Sequence, residues 1–74
     1  MRDNIKKIKE TYVKGMRVRL IKMNDVQAPP IGTEGFILGV DAVGSVLVEW
    51  DNGASINVVL DEDEIEVVSG REVL

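Results

Sequence analysis

The 74-residue chain has no cysteine and no histidine. No disulfide can staple it, and a zinc site built from Cys and His is excluded. A catalyst would have to work with carboxylates, Lys, Ser, Thr or Tyr in a pocket, which a chain this short rarely encloses. Freedom from cysteine fits a reducing, cytoplasmic location. Aromatic residues number three: Tyr12, Phe36 and Trp50. That starves base stacking, the aromatic row of a proline-binding groove and a methyl-lysine cage alike. No apolar run is long enough for a membrane-crossing helix. Met1 to Lys7 leads into no apolar segment resembling a signal peptide.

What remains is enough for one small domain. A domain of this size buries only about 60–65% of the surface its unfolded chain exposes, so modest stability is expected. The formal net charge of -4 conceals an asymmetry. Residues 1–22 hold eight bases and two acids, while residues 23–74 hold one base, Arg71, and eleven acids. Such an imbalance marks a nucleic-acid or membrane arm, or else two halves that neutralise each other within one fold.

Residues 3–12 read as a short helix. Asp3 or Asn4 is placed to cap it, Ile5, Ile8 and Tyr12 form one apolar stripe, and Gly15 ends it. So short a helix must dock on something to persist. Residues 16–23 alternate as a strand with Val18 and Leu20 inward. A loop over 24–32 is stiffened by Pro29-Pro30. Residues 33–41 form a second strand, in which Gly35 and Gly39 suggest bulges or bends. Ala42-Val43-Gly44 is a turn. Strands over 45–50 and 54–60 make a hairpin. Asp61-Glu62-Asp63-Glu64 is an exposed turn, Ile65 to Val68 a last strand, and 69–74 a tail. The boundaries are therefore an N-terminal basic helix over 1–14, a β-barrel over 15–68 and a flexible tail over 69–74. One helix followed by five short strands predicts a mostly β fold, a small closed or nearly closed barrel.

The hairpin register follows from burial. A two-residue Asn52-Gly53 loop would set Trp50 opposite Ser55 and Val48 opposite Asn57. A three-residue Asp51-Asn52-Gly53 loop instead pairs Trp50 with Ala54, Val48 with Ile56 and Val46 with Val58, all on one face. A slip of one residue turns every side chain over, so the second register is expected. It needs a left-handed residue at the third loop position, which Gly53 supplies. Trp50 is then a core residue.

Gly32-Thr33-Glu34-Gly35 after Pro29-Pro30, then Gly39-Val40-Asp41, then Val48-Glu49-Trp50-Asp51-Asn52-Gly53, resembles an uncharacterised bacterial and phage family, the domain of unknown function numbered 4314. The likeness spans about residues 12–68 and is closest at Met16-Arg17-Val18-Arg19-Leu20 and along Ala28 to Gly35. It implies an SH3-like barrel, no particular activity, and a gene carried by a phage or mobile element. The same rhythm of glycines and Trp-Asp-Asn-Gly is similar to the mind-bomb-type domains of ubiquitin ligases, mostly in hairpin architecture. Phe36 stands where the pattern has a small polar residue, and Ala42-Val43 replaces an acidic-aliphatic pair. Both changes add apolar character.

Two surfaces could carry function. If Ile37, Val46, Val48, Trp50, Ile56 and Val58 face inward, then Phe36, Leu38, Leu47, Glu49 and Val59 face outward. Contiguous exposed apolar residues mark an interface, here for a protein partner or a second copy. The plain alternative is that Ile5, Ile8 and Tyr12 of the helix cover this patch. The second surface is the basic set Lys6, Lys7, Lys9, Lys14, Arg17, Arg19 and Lys22, which could track phosphates of a nucleic acid. Against it, the first and last strands of an SH3-like barrel pair, which would set Arg17 and Arg19 beside Glu64 and Glu66 as ion pairs. The acidic run lacks the spacing and glycine of a calcium loop and reads as a solvated turn. Pro29-Pro30 reads as loop stiffening. No catalytic, metal or cofactor site and no membrane partner is expected, and a protein-binding module is the leading reading.

Overall fold

A computed structural model describes residues 2–69, with side chains from residue 4 onward. Its elements are α1 (Arg2–Thr11), β1 (Arg17–Lys22), β2 (Glu34–Val40), β3 (Val46–Trp50) and β4 (Glu64–Ser69). The strands form one antiparallel sheet in the order β3-β2-β1-β4. The first and last strands are neighbours, as expected of the chain's path. No helix among the described residues is long and apolar enough to cross a membrane.

The alternating strands bury one face. Val18, Leu20, Ile37, Val46, Val48, Trp50 and Val58 are all under 2% exposed, and Met23 completes the core. Each fully buried aliphatic side chain stabilises the fold by roughly 1.5–3 kcal/mol. The inward assignments of Val18, Leu20 and Trp50 hold. So does the bulge signalled by Gly39, because the β2–β3 register shifts between Ile37 and Gly39.

The expected strand over 54–60 is absent, and the fold is a four-stranded sheet where five strands were anticipated. The register nevertheless holds. Val46 and Val58 exchange both backbone hydrogen bonds, at 2.9 and 2.8 Å, and the Trp50 N–H donates to the Ala54 carbonyl at 3.0 Å. Between these points the Ile56 carbonyl accepts the Trp50 indole N–H, at 3.0 Å. The Val48 N–H, which a strand ladder would donate to this carbonyl, makes no such bond, and the pairing is reduced to an isolated bridge. The turn is as expected. The Gly53 N–H donates to the Trp50 carbonyl at 2.9 Å, and Gly53 takes the left-handed φ of 91°.

The helix differs at both ends. It begins at Arg2, so Asn4 lies inside it and does not cap it. The side chain of Asp3, the other expected cap, lies outside the described residues, as does the tail beyond Ser69. The helix ends at Thr11, four residues before Gly15, whose φ of 94° serves the turn into β1. The Gly15 N–H is anchored on the Ile37 carbonyl at 2.8 Å. Ile8 and Tyr12 pack against the core. Gly44 leaves room for the helix: a Cβ there would lie 3.4 Å from both Ile5 Cγ1 and Ile8 Cδ1.

Candidate interaction face

Alternation along the strands sends the residues between core positions to the opposite, outer face of the sheet. Arg17 and Arg19 of β1, Glu34, Phe36 and Leu38 of β2, Leu47 and Glu49 of β3 and Glu66 of β4 lie there. The register places Arg17 across from Phe36, Arg19 across from Glu34 and Phe36 across from Glu49.

The charged members join into one chain of alternating sign. Arg17 forks onto both carboxylate oxygens of Asp51, at 2.9 and 2.6 Å. It also reaches Glu34 at 3.1 Å. The other oxygen of Glu34 accepts from Arg19 at 3.1 Å, and Arg19 reaches Glu66 at 2.7 Å. The sequence pointed to Arg19 and Glu66 correctly. It mispaired Arg17, which meets Asp51 and Glu34 and neither Glu64 nor Glu66. Glu64 stands across from Lys22 instead. The missed signal was Gly35. Its position across from Trp50 sets Glu34 beside Asp51, and the Asp51 N–H donates to the Glu34 carbonyl at 2.8 Å.

The fork has a measurable consequence. Hydrogen bonding from Arg17 holds the Asp51 carboxyl below its ordinary value, against the opposing effect of desolvation. A depressed folded-state value contributes stability that is present above the unfolded value and disappears as pH falls through the folded one. Arg17→Met is therefore expected to raise the Asp51 carboxyl toward its ordinary value in an NMR titration. Its unfolding free energy should also lose part of the wild-type fall in acid. An unmoved Asp51 titration would show the pair to be unformed in solution.

Phe36 lies under Arg17, with the guanidinium carbon 4.6 Å from the ring centroid. This cation–π contact holds the Arg17 guanidinium against one face of the ring. Phe36 still exposes 45% of its surface and Leu38 47%. The bulge sets Leu38 and Gly39 together opposite the half-buried Leu47, and Glu49 is exposed beside them. Four of the five expected interface residues thus share one face. Val59 does not. With the strand over 54–60 absent, it lines two clefts elsewhere.

One cleft of about 170 Å³ lies between α1 and the loops, lined by Ile5, Ile8, Val43, Gly44 and Leu60 along with Val59. The apolar stripe of the helix is thus spent on the core and on this cleft, not on Phe36 and Leu38. The other cleft, of about 330 Å³, is polar and lined by Asp25, Glu62 and Asp63 among others. Asp63 accepts the Val59 N–H at 2.9 Å, which shapes the acidic run as a turn.

The basic set is dispersed. Lys6, Lys7 and Lys9 are exposed on α1, Lys14 is exposed in the turn before β1, and Lys22 is exposed at the far end of β1. Arg17 and Arg19 are held by carboxylates, and only these two bases form ion pairs among the described residues.

A family model with the description "Domain of unknown function (DUF4314)" matches residues 1–68. No curated protein matches the chain.

Proposed function

The chain belongs to the DUF4314 family, and we propose that it is a small, non-enzymatic interaction module that binds a protein through the outer face of β2 and β3. The observation that carries this reading is the pair Phe36 and Leu38, nearly half exposed side by side on a rigid sheet and left uncovered by the helix. Apolar surface of this kind, rimmed by charge, is the common mark of a protein interface. Leu47 and Glu49 extend it. The absence of Cys and His supports a role without catalysis and a cytoplasmic setting. The SH3-like barrel belongs to the same reading. It is supported by the pairing of the first and last strands and by the Val46–Val58 bridge where a fifth strand would run. Family likeness supports a bacterial or phage source.

A nucleic-acid reading retains the five exposed lysines, but it must do without Arg17 and Arg19 unless their carboxylates let go. The two readings separate in one experiment. The tagged full chain is purified from source cells as wild type, as Phe36→Ser/Leu38→Ser and as Lys6→Ala/Lys7→Ala/Lys9→Ala, with and without nuclease. The protein-binding reading expects a co-purifying protein, or a doubled solution mass, that the outer-face variant loses and the lysine variant keeps. Loss with the lysines and with nuclease treatment would replace it by the nucleic-acid reading.

A further inference from the structure

The two edges of the sheet are unequal. The outer edge of β3 is occupied by the segment after the turn, through the Trp50–Ala54 and Val46–Val58 hydrogen bonds. The outer edge of β4 has no such cover among the described residues, where its only strand neighbour is β1. Which groups it offers can be worked out. The Leu20 N–H donates to Thr33 and its carbonyl accepts from Gly32, so Leu20 bonds toward β2. Bonding direction alternates along a strand, so Arg19 bonds toward β4, and its register partner there is Glu66. The flanking N–H and C=O groups of Ile65 and Val67 therefore point away from the sheet.

Natural edge strands are kept short, bulged or charged to stop another strand from adding. Here β4 is six residues long, as long as β1, and although its register with β1 shifts at both ends, the stretch from Ile65 to Val67 pairs without a break, and Val67 and Val68 each expose at least 40% of their surface. Its charge is of one sign: Glu64 and Glu66 lie on the strand, and Asp61, Glu62 and Asp63 lead into it. The bases nearest in register are Arg19, already shared between Glu66 and Glu34, and Lys22. An incoming strand must offer backbone partners for Ile65 and Val67 and positive charge for the acids.

We propose that the β4 edge is a second binding site, which takes an extended cationic peptide segment from another protein as an added strand. This surface is separate from the outer face of β2 and β3, and either can fail without the other. Main-chain hydrogen bonds would supply the affinity, and the acidic run would select for Lys or Arg. A second copy is disfavoured as the occupant, because it would bring the same acidic segment to the same edge.

The test uses two blocked peptides with alternating lysines, six residues long to match β4. One alternates Lys with Val. The other alternates Lys with Pro, keeping the charge but halving the backbone donors. Titration into the labelled full chain is followed by amide NMR. The expected result is a salt-sensitive shift of the Ile65 and Val67 amides with the Lys/Val peptide, at least about tenfold weaker with the Lys/Pro peptide. Val67→Pro removes one outward N–H and leaves the β1 ladder intact, as edge strands tolerate. It should weaken Lys/Val binding by at least about tenfold, the loss of roughly 1.4 kcal/mol. Equal binding of both peptides, shifts confined to other residues, or a folded Val67→Pro variant that binds unchanged would overturn the proposal. So would concentration-dependent shifts of the same amides without peptide, which would make a second copy the occupant. If Val67→Pro does not fold, the two peptides on the wild type decide alone.

Discussion

Trp50→Ala is expected to remove roughly half of the domain's stability at 25 °C. Trp50 is the largest fully buried side chain, 1% exposed at the centre of a core otherwise made of aliphatic residues and Met23. Replacing a buried Trp or Phe by Ala costs about 3–5 kcal/mol. A chain of this length has a total stability of roughly 4–11 kcal/mol, from about 0.05–0.15 kcal/mol per residue. The loss goes beyond packing. The indole N–H satisfies the Ile56 carbonyl, which ties the irregular 54–58 segment over the core. Trp50→Phe keeps much of the volume but removes that donor. It should fold with a clear loss, since a lost hydrogen bond at this half-buried carbonyl costs about 0.5–1.5 kcal/mol. Denaturant unfolding followed by far-ultraviolet circular dichroism measures both variants without needing the tryptophan signal. An alanine variant with the wild-type midpoint would mean that the core closes without Trp50.

Gly35→Ala is expected to be the most damaging single-methyl change in the sheet. A Cβ at Gly35 would lie 2.6 Å from the Glu49 carbonyl oxygen and 2.9 Å from the Trp50 Cα and Val48 Cγ1. Two of these three atoms are backbone of β3, so no rotamer change relieves the clash and the strand itself must move. Overpacking of this kind costs about 1–3 kcal/mol, occasionally more. A loss near the middle of that range corresponds to a fall in melting temperature of roughly 8–16 °C for a domain this size. Gly39→Ala is the matched control in the same strand. Nothing lies within 4 Å of its added Cβ, and its φ is not positive, so it should melt within a few degrees of wild type. Thermal melts of the two variants side by side check the claim. It is wrong if they shift alike.

The two glycines show how far pattern reading reaches. Both stood out as interruptions of a strand, and for Gly39 the expected bulge is there. For Gly35 the actual cause, the backbone of β3 pressed against it by the Gly35–Trp50 pair, depends on a partner strand that local sequence does not name. The interface candidates divide in the same way. Phe36, Leu38, Leu47 and Glu49 follow from strict alternation in strands that exist. Val59 was assigned by the same rule to a strand that does not form, and it lines clefts instead. The ionic chain needed registers among β1, β2, β3 and β4 at once. A guess at one strand pair recovered one of its four links, Arg19 to Glu66.

By itself the sequence determined the local geometry and the sidedness of this protein. Period-two alternation set which residues of β1 and β3 face inward, because a one-residue slip would expose them all. The Asp51-Asn52-Gly53 turn followed from the one residue able to take a left-handed φ where the buried register required it. The composition removed disulfides and Cys/His metal sites. Only the tertiary structure decided the rest. It decided that the segment after the turn pairs only as an isolated bridge, with the Trp50 indole bonded to its Ile56 carbonyl. It decided that the helix stripe is consumed by the core and the Gly44 turn, and that Phe36 and Leu38 stay uncovered while Arg17 roofs the Phe36 ring. It also decided that, among the described residues, one sheet edge is covered and the other has no strand beside it. These outcomes turn on which of several chemically adequate partners arrives at a given group, and a partner distant in sequence is chosen by three-dimensional packing.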